Sequence, residues 1–421
     1  MSGLFRIEDS LTNKISYYHL MLLMASLPFD MFYSHLILIS FAIHTLIHLN
    51  KKTVKPIFTL RTLALQSVFF VSLICIIYTT NTNQAFNELG RRSIIFLIPI
   101  LFCLNPLDIK KYRSKLLLSF ALVCTLVIVY LYIDALITIR HFHLPVSLLF
   151  SSFFANHNFS EPINMHATFF AMQVALSLVY LLSVLLKEKV FYNKIFYLAC
   201  CLILSAGIIQ LSSKSVCIAL FLIVNIAVPY FLLQGVQRRK FILVTASLSV
   251  LLMAGVSLSG TFRERYITEL ATDLSPAKAD EVLDSRLTRW NVVVKLIAEK
   301  PLTGYGTGSE VALLHERFFD NKLYNSFLNN LNAHNEYLSF LLKSGIGGLL
   351  VYIATLIFGF RIALQQKDLL FIAFMVIIAT VSFSENFLDV DKGIIFYVFF
   401  FPFFIFSNER TVINDAPIKP G

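Results

Sequence analysis

Residues 115–137 read KLLLSFALVCTLVIVYLYIDALI, a long and almost unbroken apolar run. About 20 such residues, wound as an α-helix, cross the ~30 Å hydrocarbon core of a bilayer. Similar runs recur along the chain. We interpret twelve of them as membrane-spanning helices, near residues 15–29, 32–49, 62–79, 93–105, 115–137, 166–186, 193–211, 214–234, 240–258, 346–361, 368–384 and 391–407. Pro28 and Pro99 interrupt the first and fourth runs, because proline breaks a helix interior.

Composition points to the same class of protein. Hydrophobic residues make up 57% of the chain and charged residues only 14%, with a mean hydropathy of +0.74. A soluble core of this size is therefore excluded, and an all-α polytopic membrane protein is predicted. All six cysteines fall in apolar runs, so neither a disulfide nor a zinc site is expected. We expect one transmembrane domain over residues 1–421, with a polar subdomain inserted at residues 259–334.

The distribution of lysine and arginine orients the predicted bundle. Cations concentrate in alternate loops: Lys51, Lys52, Lys55 and Arg61; Lys110, Lys111, Arg113 and Lys115; Lys187, Lys189 and Lys194; Arg238, Arg239 and Lys240. Because cytoplasmic loops carry the excess of cations, both termini are predicted to be cytoplasmic and the 259–334 loop external. Most of the net charge of +10 lies in these loops, so no nucleic-acid partner is needed to explain it.

Within the external loop, the segment Ser285-Arg286-Leu287-Thr288-Arg289-Trp290 supplies two arginines three residues apart. The spacing of apolar residues over Asp284–Glu299 predicts an amphipathic helix that carries both guanidiniums on one face. Arg263 and Arg265 follow the ninth predicted span. Planar, permanently charged guanidiniums suit phosphate oxygens. The alternative is that these arginines are solvated surface cations or lipid-headgroup anchors.

Two further cations are predicted on the external side. Arg91 and Arg92 precede the fourth predicted helix, and Lys214 lies in the tight turn Leu211-Ser212-Ser213-Lys214-Ser215. Arg92 could simply extend to the membrane interface. Cations are otherwise concentrated in the predicted cytoplasmic loops. Their presence on the external side therefore favours an anionic partner for this group.

The run Gly304-Tyr305-Gly306-Thr307-Gly308 resembles no nucleotide-binding loop, because no strand precedes it and no Gly-Lys-Ser/Thr follows. Gly304 and Gly306 could form a backbone turn with positive φ or contact a substrate directly.

His334 opens the segment Ala333-His334-Asn335-Glu336-Tyr337-Leu338, which leads into a helical run ending at Ser344-Gly345. A helix N-terminus disfavours the imidazolium ion, so this histidine is a candidate proton acceptor. The alternative is a hydrogen-bonded structural histidine.

Two other external positions carry residues that could belong to a site. His166, at the start of the sixth predicted helix, could bind an acceptor or cap the helix, and capping is favoured. Asp389 and Asp391 have the Asp-x-Asp form of some metal-dependent transferases, but acids at a helix start are the favoured interpretation. No metal or cofactor is therefore expected.

The ordered set of motifs resembles the O-antigen ligase and polymerase superfamily of bacterial envelope proteins. It consists of Ser285-Arg286 to Trp290, Pro301 to Gly308, His334 to Leu338, and Gly345 to Gly348. The resemblance implies a GT-C-like membrane glycosyltransferase in the bacterial inner membrane with a periplasmic active site. Its implied donor is an undecaprenyl-pyrophosphate-linked glycan, and its implied acceptor is a hydroxyl of lipid A-core.

The resemblance also implies roles for residues. Arg286 and His334 match active-site positions of the family, while Lys214 stands where the family has an arginine. Lys214, Arg92, Arg265 and Arg289 would stabilise the departing pyrophosphate, and His334 would take the acceptor proton. His166, Tyr337, Gly304 and Gly306 would support the acceptor or the loop. Direct displacement would invert the anomeric carbon, because a retaining route would need a nucleophile such as Glu336.

Three functions remain open at this stage. A ligase is favoured over a polymerase that extends the glycan on its own carrier, and a protein O-oligosaccharyltransferase would be a variant of the same chemistry. A polysaccharide transporter or flippase would be expected to show paired repeats or charges at mid-membrane depth, and neither is evident in the sequence.

Overall fold

A computed structural model of the protein describes residues 6–50, 54–258, 260–275 and 284–407. Within these ranges the secondary structure is helical, without a strand. We number the longer helices in chain order: α1 Leu11–Ser26, α2 Met31–Ile47, α3 Leu60–Cys75, α4 Thr82–Leu104, α5 Ile109–His141, α6 Ala167–Leu185, α7 Phe191–Leu211, α8 Lys214–Leu232, α9 Gly235–Leu258, α10 Arg286–Glu299, α11 Glu310–Asp320, α12 Glu336–Gln366, α13 Leu369–Val381 and α14 Asp391–Phe406.

The helices confirm an all-α polytopic membrane protein. Seven of the described helices are long and apolar enough to cross a bilayer: α3 with its continuation to Tyr78, α5, α6, α7, α8, α9 and α12. The other five predicted spans also coincide with helices, namely α1, α2, α4, α13 and α14. The number of twelve crossings and the division into one domain with an inserted loop remain predictions.

Aromatic packing holds the centre of the bundle together. Among the seven long apolar helices, α6 is the most enclosed: 72% of its apolar stretch of 18 residues is buried. None of the corresponding stretch of α9 is buried. Phe396 and Phe400 of α14 lie one turn apart and pack against Phe374 of α13. Because lipid is as apolar as these side chains, close van der Waals contact rather than escape from water stabilises such an interface.

Contacts at the two ends of the bundle agree with the predicted alternation of loops. At one end Asp9 pairs with Lys111 (Oδ2 to Nζ, 3.4 Å) and Arg113 pairs with Asp368 (Nη2 to Oδ2, 2.6 Å). The loop motifs gather at the opposite end, which we call the motif end. Which end faces the cytoplasm stays a prediction. Residues 1–5, 51–53 and 408–421, with Lys51, Lys52 and the chain termini, lie outside the described residues, as do residues 259 and 276–283 of the predicted loop.

The fourth span differs from its prediction. Helix α4 begins at Thr82 rather than near residue 93, because the Asn81 side chain caps it by accepting the Gln84 N–H at 3.2 Å. It also continues through Pro99, which neighbouring helices permit in a membrane bundle. The prediction that Arg92 precedes this helix is therefore wrong, since Arg92 lies inside it. In contrast, the predicted break at Ser344-Gly345 is confirmed by the non-helical Gly345 within α12.

Candidate functional site

The arginine segment forms a helix that docks beside the histidine segment. Ser285 caps α10, and its Oγ accepts the Thr288 N–H at 3.2 Å. The predicted amphipathic helix is thereby confirmed, with Val293 and Leu296 among its buried residues. The Trp290 indole N–H donates to the Ala333 carbonyl at 2.9 Å, which brings α10 against the residue before His334.

His334 contacts a carboxylate from a distant part of the chain. Its backbone has a positive φ of 45°, and its Nδ1 lies 3.4 Å from Glu385 Oε2. Burial raises the pKa of the Glu385 carboxyl, but the hydrogen bond and the charge of His334 outweigh burial and leave that pKa below its usual value. When Nδ1 carries the hydrogen and donates a hydrogen bond to Glu385, Nε2 is the unprotonated ring nitrogen and can accept a proton. Glu385 is not among the site residues predicted from the sequence.

The two arginines of α10 differ in their partners. The Arg286 guanidinium donates from Nη1 to the Ser384 carbonyl at 3.2 Å, and its Nε lies 3.6 Å from Asp273 Oδ2. Arg289 is only 6% exposed, yet its Nε and Nη1 have no hydrogen-bond partner among the described residues. Burial, with a further contribution from the charge of Arg286, lowers the pKa of Arg289 to about 10. A buried guanidinium with free donors can accept an anion.

Lys214 and Arg265 join the arginines of α10 through two acids. Lys214 Nζ lies 3.4 Å from Glu269 Oε2 and 3.6 Å from Asp273 Oδ2, and Arg265 also pairs with Glu269. Asp273 is thus shared by Lys214 and Arg286. We call Lys214, Arg265, Arg286 and Arg289 the open cation cluster. The first three pair with Glu269 or Asp273, and Arg289 interacts with the charges of Arg286, Asp273, Asp284 and Glu385.

Arg92 belongs to a different group. It is 2% exposed, and its Nη2 lies 2.5 Å from Asp389 Oδ1 and 3.1 Å from Glu88 Oε1. Its Nη1 donates to Ser72 Oγ at 2.6 Å. Both terminal nitrogens of the guanidinium are therefore already bonded to protein acceptors, while Nε has no partner among the described residues.

The acids that contact Arg92 also contact Lys343. Lys343 Nζ lies 2.8 Å from Asp389 Oδ2, 3.0 Å from Glu88 Oε1 and 3.6 Å from Glu310 Oε2. We call these groups the closed ion network: Arg92, Lys343, Glu88, Glu310, Glu336 and Asp389. Burial raises the pKa of Asp389, but the two cations outweigh it and hold that pKa well below its usual range.

Asp389, the first aspartate of the Asp-x-Asp pair, belongs to this network and does not cap a helix. Asp389 lies in the turn before α14 and bonds to the two cations, while Asp391 is the first residue of that helix. Glu336 is fully buried, and its Oε2 accepts the Leu388 N–H at 3.1 Å. Among the described residues no group of three or more His, Cys, Asp or Glu side chains is arranged to hold a metal ion.

The closed ion network also fixes the backbone around His334. Glu310 Oε1 accepts the Ala333 N–H at 2.9 Å and an Asn386 side-chain N–H at 2.8 Å. Asn386 Oδ1 in turn accepts the Asn335 N–H at 2.7 Å. Both neighbours of His334 are thus held, which supports its unusual positive φ.

The glycine run forms a backbone turn. Gly304 and Gly306 have φ values of +67° and +94°, and a Cβ on Gly304 would lie 2.6 Å from the Leu342 carbonyl oxygen. The N–H groups of residues 304–309 all donate within the protein; for example, Tyr305 donates to Leu342 and Gly308 to Glu88. Their engagement leaves no N–H of this turn free to cradle a phosphate.

His166 lies just before α6, beside the His334 pair. Its side chain makes no capping hydrogen bond, so the favoured capping role is wrong. The His166 ring packs against that of His157 with centroids 4.2 Å apart, and its Nδ1 has no partner in the described part of the chain. Burial lowers the pKa of His166 to about 4. Thr168 Oγ1, 3.5 Å from Glu385 Oε1, links α6 to the same carboxylate.

Tyr337 supports the start of α12. Its hydroxyl donates to the Ala379 carbonyl at 2.9 Å, and its ring packs against Phe383 with centroids 4.6 Å apart. These contacts join the His334 segment to the end of α13, close to Glu385.

Comparison with known proteins bears on the segment that carries these motifs. No curated protein matches the chain. The model of the family described as O-antigen ligase matches residues 198–353, which run from α7 into α12 and include Lys214, α10 and His334. This segment is therefore similar to O-antigen ligases, and the match confirms the resemblance to the O-antigen ligase and polymerase superfamily that the ordered motifs indicated.

Proposed function

We propose that the protein is an O-antigen ligase-like glycosyltransferase that moves a polysaccharide from undecaprenyl pyrophosphate to a hydroxyl of lipid A-core. The observation that carries this proposal is the pairing of His334 with Glu385 beside a buried arginine that has free donors. A proton acceptor and an anion-binding group, close together at one end of a membrane bundle, suit transfer from a lipid pyrophosphate.

The open cation cluster would bind the donor pyrophosphate. Arg289 offers N–H groups that have no partner among the described residues. The ion pairs of Arg286 and Lys214 with acids are 3.4 to 3.6 Å long, and a pyrophosphate could displace those acids. Arg286 would keep its hydrogen bond to the Ser384 carbonyl. Arg286 would stabilise the charge that develops on the leaving group. Arg92, in contrast, would have a structural role within the closed ion network.

His334 would act as the general base through Nε2. The acceptor oxygen would form a bond to the anomeric carbon while the bond from that carbon to the pyrophosphate oxygen breaks. The acceptor proton would pass to His334, and the lipid pyrophosphate would leave as an anion. Attack opposite the leaving group would invert the anomeric configuration. No metal or nucleotide cofactor is required, so transfer is expected to persist in excess chelator.

The proposed location is the bacterial inner membrane, with cytoplasmic termini and a periplasmic motif end. A reporter fused near Asp320, or near Lys278 outside the described residues, should be periplasmic, whereas fusions at Lys111 or Arg239 should be cytoplasmic. Cytoplasmic labelling at Asp320 would contradict the proposed function as well as the topology.

Electrophoresis of lipopolysaccharide from a deletion strain tests the choice of acceptor. Loss of a ligase would leave glycan on its carrier with no ladder on lipid A-core, whereas loss of a polymerase would leave a single repeat attached. The proposed base is tested by transfer per inserted molecule with purified carrier-linked glycan. His334→Ala should lower turnover by about two to four orders of magnitude, while His141→Ala, at the exposed end of α5, should not. Near-normal transfer by His334→Ala would remove the base assignment.

A further inference from the structure

A polar groove lies at the motif end, on the face of α11 that points away from His334. The groove has a volume of about 380 Å³. One wall consists of Val311, Ala312, His315 and Glu316 of α11, and these share one face of the helix because residues three to four apart align. Glu310, which holds the Ala333 N–H, lies on the other side of α11.

The opposite wall comes from the first turn of α4. Asn81 and Gln84 line it, and Asn330 closes one end. This wall is fixed in place, because the glycine turn that precedes α11 packs directly on α4: a Cβ on Gly308 would lie 2.3 Å from the Ala85 nitrogen. Asn330 belongs to the short segment that leads to His334, so one backbone segment connects the groove to the proposed reaction centre.

The lining suits a neutral, hydroxyl-rich ligand. The amides of Gln84 and Asn330 have no hydrogen-bond partner among the described contacts, and an amide can both donate to and accept from a hydroxyl. None of the seven lining residues is lysine or arginine, and Glu316 adds negative charge, so an anionic phosphate is disfavoured. Val311 and Ala312 provide an apolar floor for the C–H face of a sugar ring.

His315 also lines the groove. Its ring is fixed against Phe327, with centroids 4.0 Å apart, and an imidazole can hydrogen-bond to a hydroxyl. Pockets of 300–1,000 Å³ are typical for small-molecule ligands, so a volume of about 380 Å³ is at the small end of that range.

We infer that this groove is a glycan-binding subsite, which holds sugars of the polysaccharide that are remote from the reacting one. The inference rests on the proposed function, because it takes the polysaccharide as substrate. Binding here would retain a long glycan near His334 without participating in bond formation, and it would favour long chains over a single repeat.

The test measures glycan binding separately from transfer. Purified full-length protein in detergent is titrated with carrier-free polysaccharide, released from the cell envelope by mild acid hydrolysis, and binding is followed by saturation-transfer NMR. Ala312→Trp fills the groove from an exposed position, and Asp320→Trp adds the same bulk to the same helix outside it. A double variant, Gln84→Ala with Asn330→Ala, removes hydrogen-bonding groups without adding bulk.

Ala312→Trp should weaken polysaccharide binding at least tenfold, and the double variant about tenfold, as expected for the loss of two hydrogen bonds. Asp320→Trp should bind as the unsubstituted protein does. Equal binding by Ala312→Trp and Asp320→Trp would overturn the subsite. The proposed function is judged separately, by whether the unsubstituted protein transfers glycan in the same preparation.

Discussion

Arg92 and Arg289 are both buried at the motif end, with 2% and 6% exposure, yet their surroundings differ. Both terminal nitrogens of Arg92 bond to Ser72 and to carboxylates, and its Nε alone has no partner among the described residues. Arg289 has no such partner for Nε or for Nη1 in the same part of the chain. Burial alone therefore does not distinguish a structural arginine from a functional one, whereas the engagement of the terminal nitrogens does. The closed ion network should govern folding, and the open cation cluster should govern binding and turnover.

The largest expected effect is on the closed ion network. Lys343→Met would leave Glu88 and Asp389 with one cation fewer in a buried setting, and loss of one partner of a buried ion pair costs about 3–5 kcal/mol. The thermal unfolding temperature of purified protein, together with the amount inserted in membranes, measures this loss. Lys295→Met, on the exposed face of α10, is the matched control and should be neutral. A stable Lys343→Met variant would show that the network is not structural.

Arg289→Met should give the converse result. Because two of its nitrogens have no partner, removal of the guanidinium should leave the unfolding temperature unchanged or raised. Transfer should fall by roughly 10²–10³, the usual effect of losing one donor that stabilises a developing anion. Arg317→Met, which breaks an exposed pair with Glu299, should change neither quantity. If Arg289→Met were unstable but had normal turnover per folded molecule, Arg289 would be a structural residue and not a functional one.

Glu385→Gln tests how the His334 ring is positioned. The amide preserves the shape of the side chain but not the charge that Nδ1 faces at 3.4 Å, so turnover should fall roughly tenfold or more, less than for His334→Ala. Steady-state kinetics should show the loss in kcat rather than KM, with partial recovery in Glu385→Asp. Glu161→Gln, an exposed acid at the motif end, is the control. An unchanged kcat would leave Glu385 without a role in the reaction.

The smallest expected effect is on acid stability. Burial lowers the pKa of His166 from 6.5 to about 4 and also lowers the pKa of His157, so the folded protein binds fewer protons than the unfolded chain in this interval. Stability should therefore fall as pH decreases below 6.5. Glu385, which faces His166, has a lowered pKa. Its contribution to stability is therefore lost only when the pH falls below 4.5, the usual pKa of a glutamate. Unfolding temperatures between pH 6.5 and 4.5 should depend less on pH in His166→Gln; an unchanged slope would contradict this assignment.

Local sequence patterns predicted much of the molecule. Apolar runs located the twelve helical segments, and residue spacing identified α10 with Arg286 and Arg289 on it. These features depend on neighbouring residues, so a single sequence contains the necessary information.

The pairings that define the site could not be read in the same way. His334 meets Glu385, and Lys343 meets Glu88, across 51 and 255 positions of sequence. The network gave little signal in the sequence: Glu88 and Arg92 precede the predicted fourth span, and Lys343 precedes the predicted tenth, so none of them is a charge within a predicted span. The start of α4 was misplaced because Asn81 caps it inside a polar stretch.

The reciprocal contact of Gly304 and Gly345 bears on genetic screens for inactive alleles. A Cβ on Gly345 would lie 2.2 Å from the Leu302 carbonyl oxygen, and one on Gly304 would meet Leu342. Any replacement of either glycine forces these two backbone segments apart. Substitutions at both glycines should therefore inactivate the protein as often as substitutions at His334. Their phenotype on cells would be identical, but immunoblots would differ: glycine alleles should lose the polypeptide, whereas His334 alleles should keep it.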